Sequence, residues 1–265
     1  MSATLEVAIG QCPAHLEGPA ARLDWLSQTL DDHAGPPLDL VVLPELFQCG
    51  YHIAEAVSQR AEAKDGPFAA SIAALAKTHA TAIAFGFAER QGETLYNAAL
   101  CIDKNGHHIG HHRKLLLPPG FEGDHFAAGS HCDVFQLNGF SVAFLICYDM
   151  EFPENLRHAA LQGAEIVVVP TALAKNWGVV SECVAPTRAF ENGVFLCYAN
   201  YCGHENGLDY YGGSCIIAPD GGALARGGTA PDLLQATFEK DAVAKAQSRL
   251  PYLVDRSNLT WVAQP

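Results

Sequence analysis

Three short stretches run from an apolar strand pattern straight into a residue able to do chemistry. VVLPELF delivers Glu45 behind Pro44, HHRKLLLPPG carries Lys114 between Arg113 and an apolar segment, and VAFLICYDMEFPE sets Cys147 shortly before Pro153. Ligands of α/β sheets bind at strand ends. A thiol near a helix N-terminus has its thiolate favoured, so Cys147 is a candidate nucleophile. Taken singly, Glu45 reads as a solvated carboxylate, Lys114 as a surface lysine and Cys147 as one of nine cysteines packed in the core. The shared context of the three is what singles them out.

Histidines offer a competing chemistry. His107, His108, His111 and His112 fall within six residues, and His125 and His131 follow. On a strand, His107 and His111 share one face and His108 and His112 the other. A zinc site needs a third or fourth ligand and an ordered outer shell, so the expectation is a solvated hairpin face with no metal. No cofactor is expected either: no GxGxxG follows the first strand and GxxxxGK[ST] is missing. A non-catalytic thiol- or metal-binding module is the reading from a different class, and the lack of any CxxC pair counts against it.

Elements must position these residues, and the chain alternates short β-rich runs with helical patterns. Strands are predicted over 5–12, 38–45 and 81–90, with helices over 20–33 (Leu23, Leu26 and Leu30 on one face) and 66–80. A hairpin is predicted from 97–103 and 107–112 about Lys104-Asn105-Gly106. The second half repeats this grammar: strands over 140–149, 165–172 and 194–201, helices over 153–164 and 181–192, a hairpin turning at Pro219–Gly222, and a return strand over 233–240. The tail from Leu250 shows no clear period. These features predict one α/β domain spanning 1–265, with mixed sheets covered by helices.

Composition sets the outer bounds. With 265 residues, 49% of them hydrophobic and 17% charged, the chain is globular rather than disordered. Sixteen Lys and Arg against 29 Asp and Glu give a formal charge of −13, a field that repels nucleic acid. No apolar run reaches the roughly 18 residues of a membrane span. MSATLEVAIGQC lacks the parts of an export signal. The expectation is a cytoplasmic protein with mostly reduced, buried cysteines.

LPELF, HRKLLLP and LICYDMEFPE together resemble the three signature segments of the nitrilase superfamily of carbon–nitrogen hydrolases. The resemblance runs from AIGQC to the PDG hairpin and takes in Tyr96-Asn97, GFEGDHFAAG with Glu122, and RAFENGVFLCYANYCG. CYDMEFPEN followed by ANYCG is most similar to short aliphatic amidases of the 5-aminopentanamidase and R-stereoselective kind. One departure stands out: many relatives carry His two residues after the lysine, where this chain has Leu116.

The resemblance implies a four-layer α-β-β-α sandwich and a Glu45–Lys114–Cys147 triad supported by Glu122. It implies attack of Cys147 on an amide, an oxyanion held by Lys114 and the backbone N–H of Tyr148, and a thioester later hydrolysed by water. The implied substrate is a small aliphatic primary amide, and Tyr51, Ala172 and Trp177 are the substrate-binding candidates. A nitrilase or an N-carbamoyl amidase would use the same triad. Arg188, the obvious arginine for a ureido acid, instead reads as the partner of Glu191 three residues on. A homodimer or higher assembly is implied, with 181–192 and the C-terminal tail as interface candidates.

Overall fold

Strands that are apolar at every position must be covered on both faces, and the fold arranges this twice. The structure is a computed structural model describing residues 3–260. Its first half runs β1 (Thr4–Gln11), α1 (Gly18–Asp31), β2 (Leu40–Val42), α2 (Ala56–Arg60), α3 (Pro67–His79), β3 (Ala82–Gln91), β4 (Thr94–Ile102) and β5 (His108–Arg113). Then come α4 (Phe121–His125), β6 (Val134–Leu137), β7 (Phe140–Phe144), α5 (Tyr148–Glu151), α6 (Pro153–Leu161), β8 (Ile166–Pro170), α7 (Ala185–Asn192) and β9 (Phe195–Ala199). The chain continues through β10 (Cys202–Glu205), β11 (Leu208–Tyr211), β12 (Cys215–Ile217), β13 (Ala223–Arg226), β14 (Asp232–Glu239), α8 (Asp241–Arg249) and α9 (Tyr252–Asp255).

Two six-stranded sheets form, ordered β14-β1-β2-β3-β4-β5 and β13-β12-β9-β8-β7-β6. Each has a parallel trio at its centre, β1-β2-β3 in one and β7-β8-β9 in the other, flanked by antiparallel strands. The repeated grammar of the sequence is thus a repeated sheet plan.

Alternation explains the unbroken apolar runs. Val7, Ile9, Val42 and Ala84 of the first sheet meet Val142, Phe144, Val168 and Cys197 of the second in the central core. Their neighbours Ala8, Val41, Ile83 and Phe85 face outward against Leu26 and Leu30 of α1 and Ile72 and Ala76 of α3. Val167, Val169 and Leu196 likewise face Leu156 and Ala159 of α6 and Ala185 and Ala189 of α7. Four layers result, α-β-β-α, as expected.

The structure adds to the sequence reading in three places. The return strand over 233–240 is β14, and it pairs antiparallel with β1, Leu5 opposite Phe238, at the edge of the first sheet. There the Phe238 ring stacks on Phe195 of β9, with centroids 4.0 Å apart. The helix over 181–192 opens with a π-helical stretch, Val180–Val184. Part of the tail is ordered, as α9 and a 3₁₀ turn (Arg256–Asn258), while residues 261–265 lie outside the described residues. Among the described residues, no helix is long and apolar enough to cross a membrane.

Candidate active site

Each triad residue sits just past a strand end. Beyond β2 the chain is pressed against β3: Gly86 N–H donates to the Pro44 carbonyl at 3.1 Å and Gln48 N–H to the Gly86 carbonyl at 3.1 Å. A Cβ on Gly86 would fall 2.4 Å from the Leu46 nitrogen and 2.7 Å from Glu45 Cα, so only glycine permits this approach. Tyr201 donates its hydroxyl to the Glu45 carbonyl at 2.9 Å. Lys114 extends β5 by one residue, its N–H bonding the Asn97 carbonyl at 2.8 Å. Cys147 follows β7 at a sharp elbow with φ 45° and ψ −104°, a strained conformation for a side-chain-bearing residue. Its N–H is held by the Pro170 carbonyl of β8 at 3.0 Å.

The side chains converge in a fully buried cluster. Lys114 Nζ donates to Glu45 Oε1 at 2.7 Å and to Glu122 Oε1 at 2.6 Å. Asn97 Nδ2 bridges the same two carboxylates, at 2.7 Å to Glu45 Oε1 and 3.0 Å to Glu122 Oε2. Tyr51 donates its hydroxyl to Glu122 Oε1 at 2.8 Å. Glu45 Oε2 is buried with no hydrogen-bond partner.

Burial and mutual charge set the protonation states. Burial pushes the Glu45 carboxyl up to about 7, against the pull of Lys114 and with Glu122 adding to the rise. Burial alone would depress the Lys114 ammonium, but the Glu45 and Glu122 carboxylates hold it well above its ordinary value. Burial also lifts the Cys147 thiol well above its ordinary range, and Glu45 adds to that while Lys114 opposes it. This corrects the expectation of a favoured thiolate. Full burial beside two carboxylates outweighs α5, whose single turn spans only Tyr148–Glu151. The resting pair is a neutral thiol and a carboxyl poised near neutrality, an arrangement able to pass a proton between them.

The other predicted residues fall as follows. Tyr148 opens α5, so its N–H has no acceptor within the helix. The Ala172 backbone N–H favours the charged form of the Cys147 thiol. Tyr51 reaches the cluster through Glu122 rather than through Cys147. Trp177 lies on a 3₁₀ turn and is 62% exposed, so it is no core residue. Arg188 pairs with Glu191 at 3.1 Å as predicted, and also donates to the Met150 and Glu151 carbonyls.

The histidine face is not uniformly solvated, which corrects the hairpin reading. His111 bonds Glu89 at 2.8 Å, and His112 is buried against Asp149 at 3.2 Å because its side of β5 faces the second sheet. Among the described residues, no group of three or more His, Cys, Asp or Glu side chains could hold a metal ion. All nine cysteines are free, and only Cys183 is exposed.

Sequence reading assigned no role to Asn97, Tyr201 or Asp149. Asn97 stands in the quoted Tyr96-Asn97 pair, and the signal available was a polar residue opening an otherwise apolar run. Tyr201 bonds a backbone group distant in sequence, and so does Asp149 in its contacts with Leu115 and Leu116, so no local pattern marks them.

Comparison with known proteins gives the family. The carbon-nitrogen hydrolase family model matches residues 6–247. A protein described as the hydrolase in the pqqF 5′ region of Pseudomonas protegens is 41% identical over 256 residues, covering 96% of this chain and 89% of the relative. An (R)-stereoselective amidase of a Pseudomonas species is 30% identical, covering 87% of this chain and 85% of its own. Among solved structures, a cysteine-to-alanine variant of a nitrilase-superfamily amidase from Nesterenkonia superposes with a TM-score of 0.87 at 30% identity, covering 97% of both chains. In a glutamate-to-glutamine variant of that amidase, also 30% identical, the active-site cysteine carries a covalently added acetamide moiety. With the family model matching nearly the whole chain, and with relatives and solved structures of the nitrilase superfamily covering it from end to end, the chain belongs to the carbon-nitrogen hydrolase family.

Proposed function

We propose that the chain hydrolyses a small aliphatic primary amide to a carboxylate and ammonia through a thioester on Cys147. The observation that carries this reading is the Lys114 ammonium, forked between Glu45 at 2.7 Å and Glu122 at 2.6 Å. Cys147 Sγ attacks the carbonyl carbon while its proton passes to Glu45. Lys114 and the Tyr148 N–H stabilise the oxyanion, the preorganised contribution that is usually the largest in acyl transfer. The intermediate collapses by breaking the C–N bond, with Glu45 returning the proton to the departing ammonia. Glu45 then deprotonates a water that attacks the thioester, releasing the acid and restoring the thiol. Glu122 keeps Lys114 charged throughout, and Tyr51 and Asn97 hold Glu122.

The formal charge of −13 favours encounter with an amino-bearing amide. Such an amine would meet Glu151, a partly exposed carboxylate one turn along α5 from Cys147. The same reading makes the enzyme cytoplasmic, supported by nine free cysteines. It also makes it a homodimer or higher assembly that needs no cofactor. Ammonia release from 5-aminopentanamide, pentanamide, the matching nitriles and N-carbamoyl amino acids, with Cys147→Ala beside wild type, tests the reading. Turnover of the amides, lost in the variant, is expected. Turnover confined to nitriles or ureido acids would move the substrate class, and full activity of the variant would overturn the mechanism.

A further inference from the structure

The triad is divided across the sandwich. Glu45 and Lys114 follow strands of the first sheet, and Cys147 follows a strand of the second. Apolar packing between the sheets is strong but non-directional, so it does not by itself fix the sheet-to-sheet offset that brings Lys114 to the reacting carbon. Directional links are needed: Glu45 has two to strand ends of the second sheet, its N–H to the Thr171 carbonyl at 3.3 Å and its carbonyl to the Tyr201 hydroxyl at 2.9 Å, and for Lys114 one buried carboxylate supplies the link.

Asp149 is 0% exposed and has no part in the reaction steps above. Its Oδ1 accepts the N–H of Leu115 at 3.0 Å and of Leu116 at 2.9 Å, the two residues that follow Lys114. Its Oδ2 accepts the N–H of Ile146, the residue before the nucleophile, at 3.2 Å, and a longer bond from Leu115 at 3.3 Å. His112, two residues before Lys114, places Nε2 3.2 Å from the same oxygen. One side chain thus grips the chain on both sides of Lys114 and just ahead of Cys147. It does so through backbone groups and a single ring, so the leucine at position 116 leaves the grip intact.

We propose that Asp149, with His112 as its side-chain partner, is a positioning residue that sets the distance between Lys114 and Cys147 across the two sheets. The proposal rests on the triad reading for the roles of those two residues, but its test does not depend on knowing the substrate. A misplacement on the order of 1 Å costs about 10²-fold in rate. Asp149→Asn keeps the shape and turns one acceptor oxygen into an NH₂ facing N–H donors.

The variant is expected to lose about 10²-fold in kcat with KM changed less than about threefold. Should it fold poorly, His112→Leu removes one donor and keeps all the backbone bonds; a loss of about tenfold in kcat is expected, with His112→Gln restoring part of it. The second readout is alkylation of Cys147 by iodoacetamide as a function of pH, which needs no substrate. Wild-type thiol reactivity follows the carboxylate cluster; in both variants the profile shifts toward that of an ordinary thiol. Folded Asp149→Asn and His112→Leu proteins with wild-type kcat and unshifted alkylation profiles would overturn the proposal. So would an activity loss that merely tracks the unfolded fraction.

Discussion

Glu45 keeps different company at its two oxygens. Oε1 is saturated by Lys114 and Asn97, while Oε2 is buried and unpartnered, with a lone pair able to accept the proton that the proposed mechanism takes from Cys147. Burial of the carboxylate in a dry site, with Glu122 close by, is what lifts the carboxyl to about 7. The sign of the pH dependence follows. Below about 7 Glu45 holds a proton and cannot accept another, so kcat/KM on a neutral amide falls about tenfold per pH unit as the medium is acidified. An acid limb near 4, the range of an ordinary carboxylate, would show that the buried cluster does not govern the base. Replacing the base itself, Glu45→Gln, is expected to cost 10²- to 10⁴-fold in kcat, roughly the worth of general acid–base catalysis. Stopped assays of ammonia release measure both.

At the scale of elements, the site depends on one close approach and one turn, and the two differ in how well the sequence announces them. The strands legible from residues 38–45 and 165–172 are those buried on both faces, whose apolar runs need no partner to be recognised. The β10–β11 hairpin had a signal too: Asn206 and Gly207 both take positive φ, 46° and 91°, as a tight Asn-Gly turn requires. It matters for the site because Glu205, at its near end, accepts the N–H groups of Tyr51 at 3.1 Å and His52 at 2.7 Å and pairs with buried Arg22. That steadies the loop from which Tyr51 reaches Glu122. What no local pattern reveals is a contact made by backbone from another sheet, as at Asp149, or a glycine whose reason is a neighbouring strand, as at Gly86. Gly86→Ala therefore gives an element-level test. Its Cβ displaces the β2 end that carries Glu45, so kcat/KM should fall at least about tenfold. Circular dichroism should stay that of the wild type, and unchanged kinetics would mean that the strand end is free to give way.

Across the whole molecule, the chain closes its first sheet with a strand that arrives from the second, so β14 locks the halves together; α8 then packs Val243 into the core between the sheets, and α9 reaches the helices on the outer face of the second sheet. There α9 packs on α7, with the Tyr252 and Phe190 rings 5.9 Å apart. Apolar side chains flank α7 without cover: Trp177 is 62% exposed, Val179 55% and Val254 68%. The assembly proposed above would cover them with a second copy of the chain, although each copy brings a formal charge of −13 to the encounter. The two terms respond oppositely to conditions. Salt screens the repulsion, over a Debye length of about 10 Å at 0.1 M and about 3 Å at 1 M, and leaves apolar burial intact. Sedimentation velocity at micromolar concentration should therefore show a dimer or larger species that tightens as sodium chloride is raised. Val254→Asp, which adds a charge to the apolar patch, should shift the protein toward monomer while its secondary structure persists. A wild-type monomer at every salt concentration would remove the assembly from the reading, and an assembly that loosens with salt would assign its cohesion to ion pairs instead of to this face.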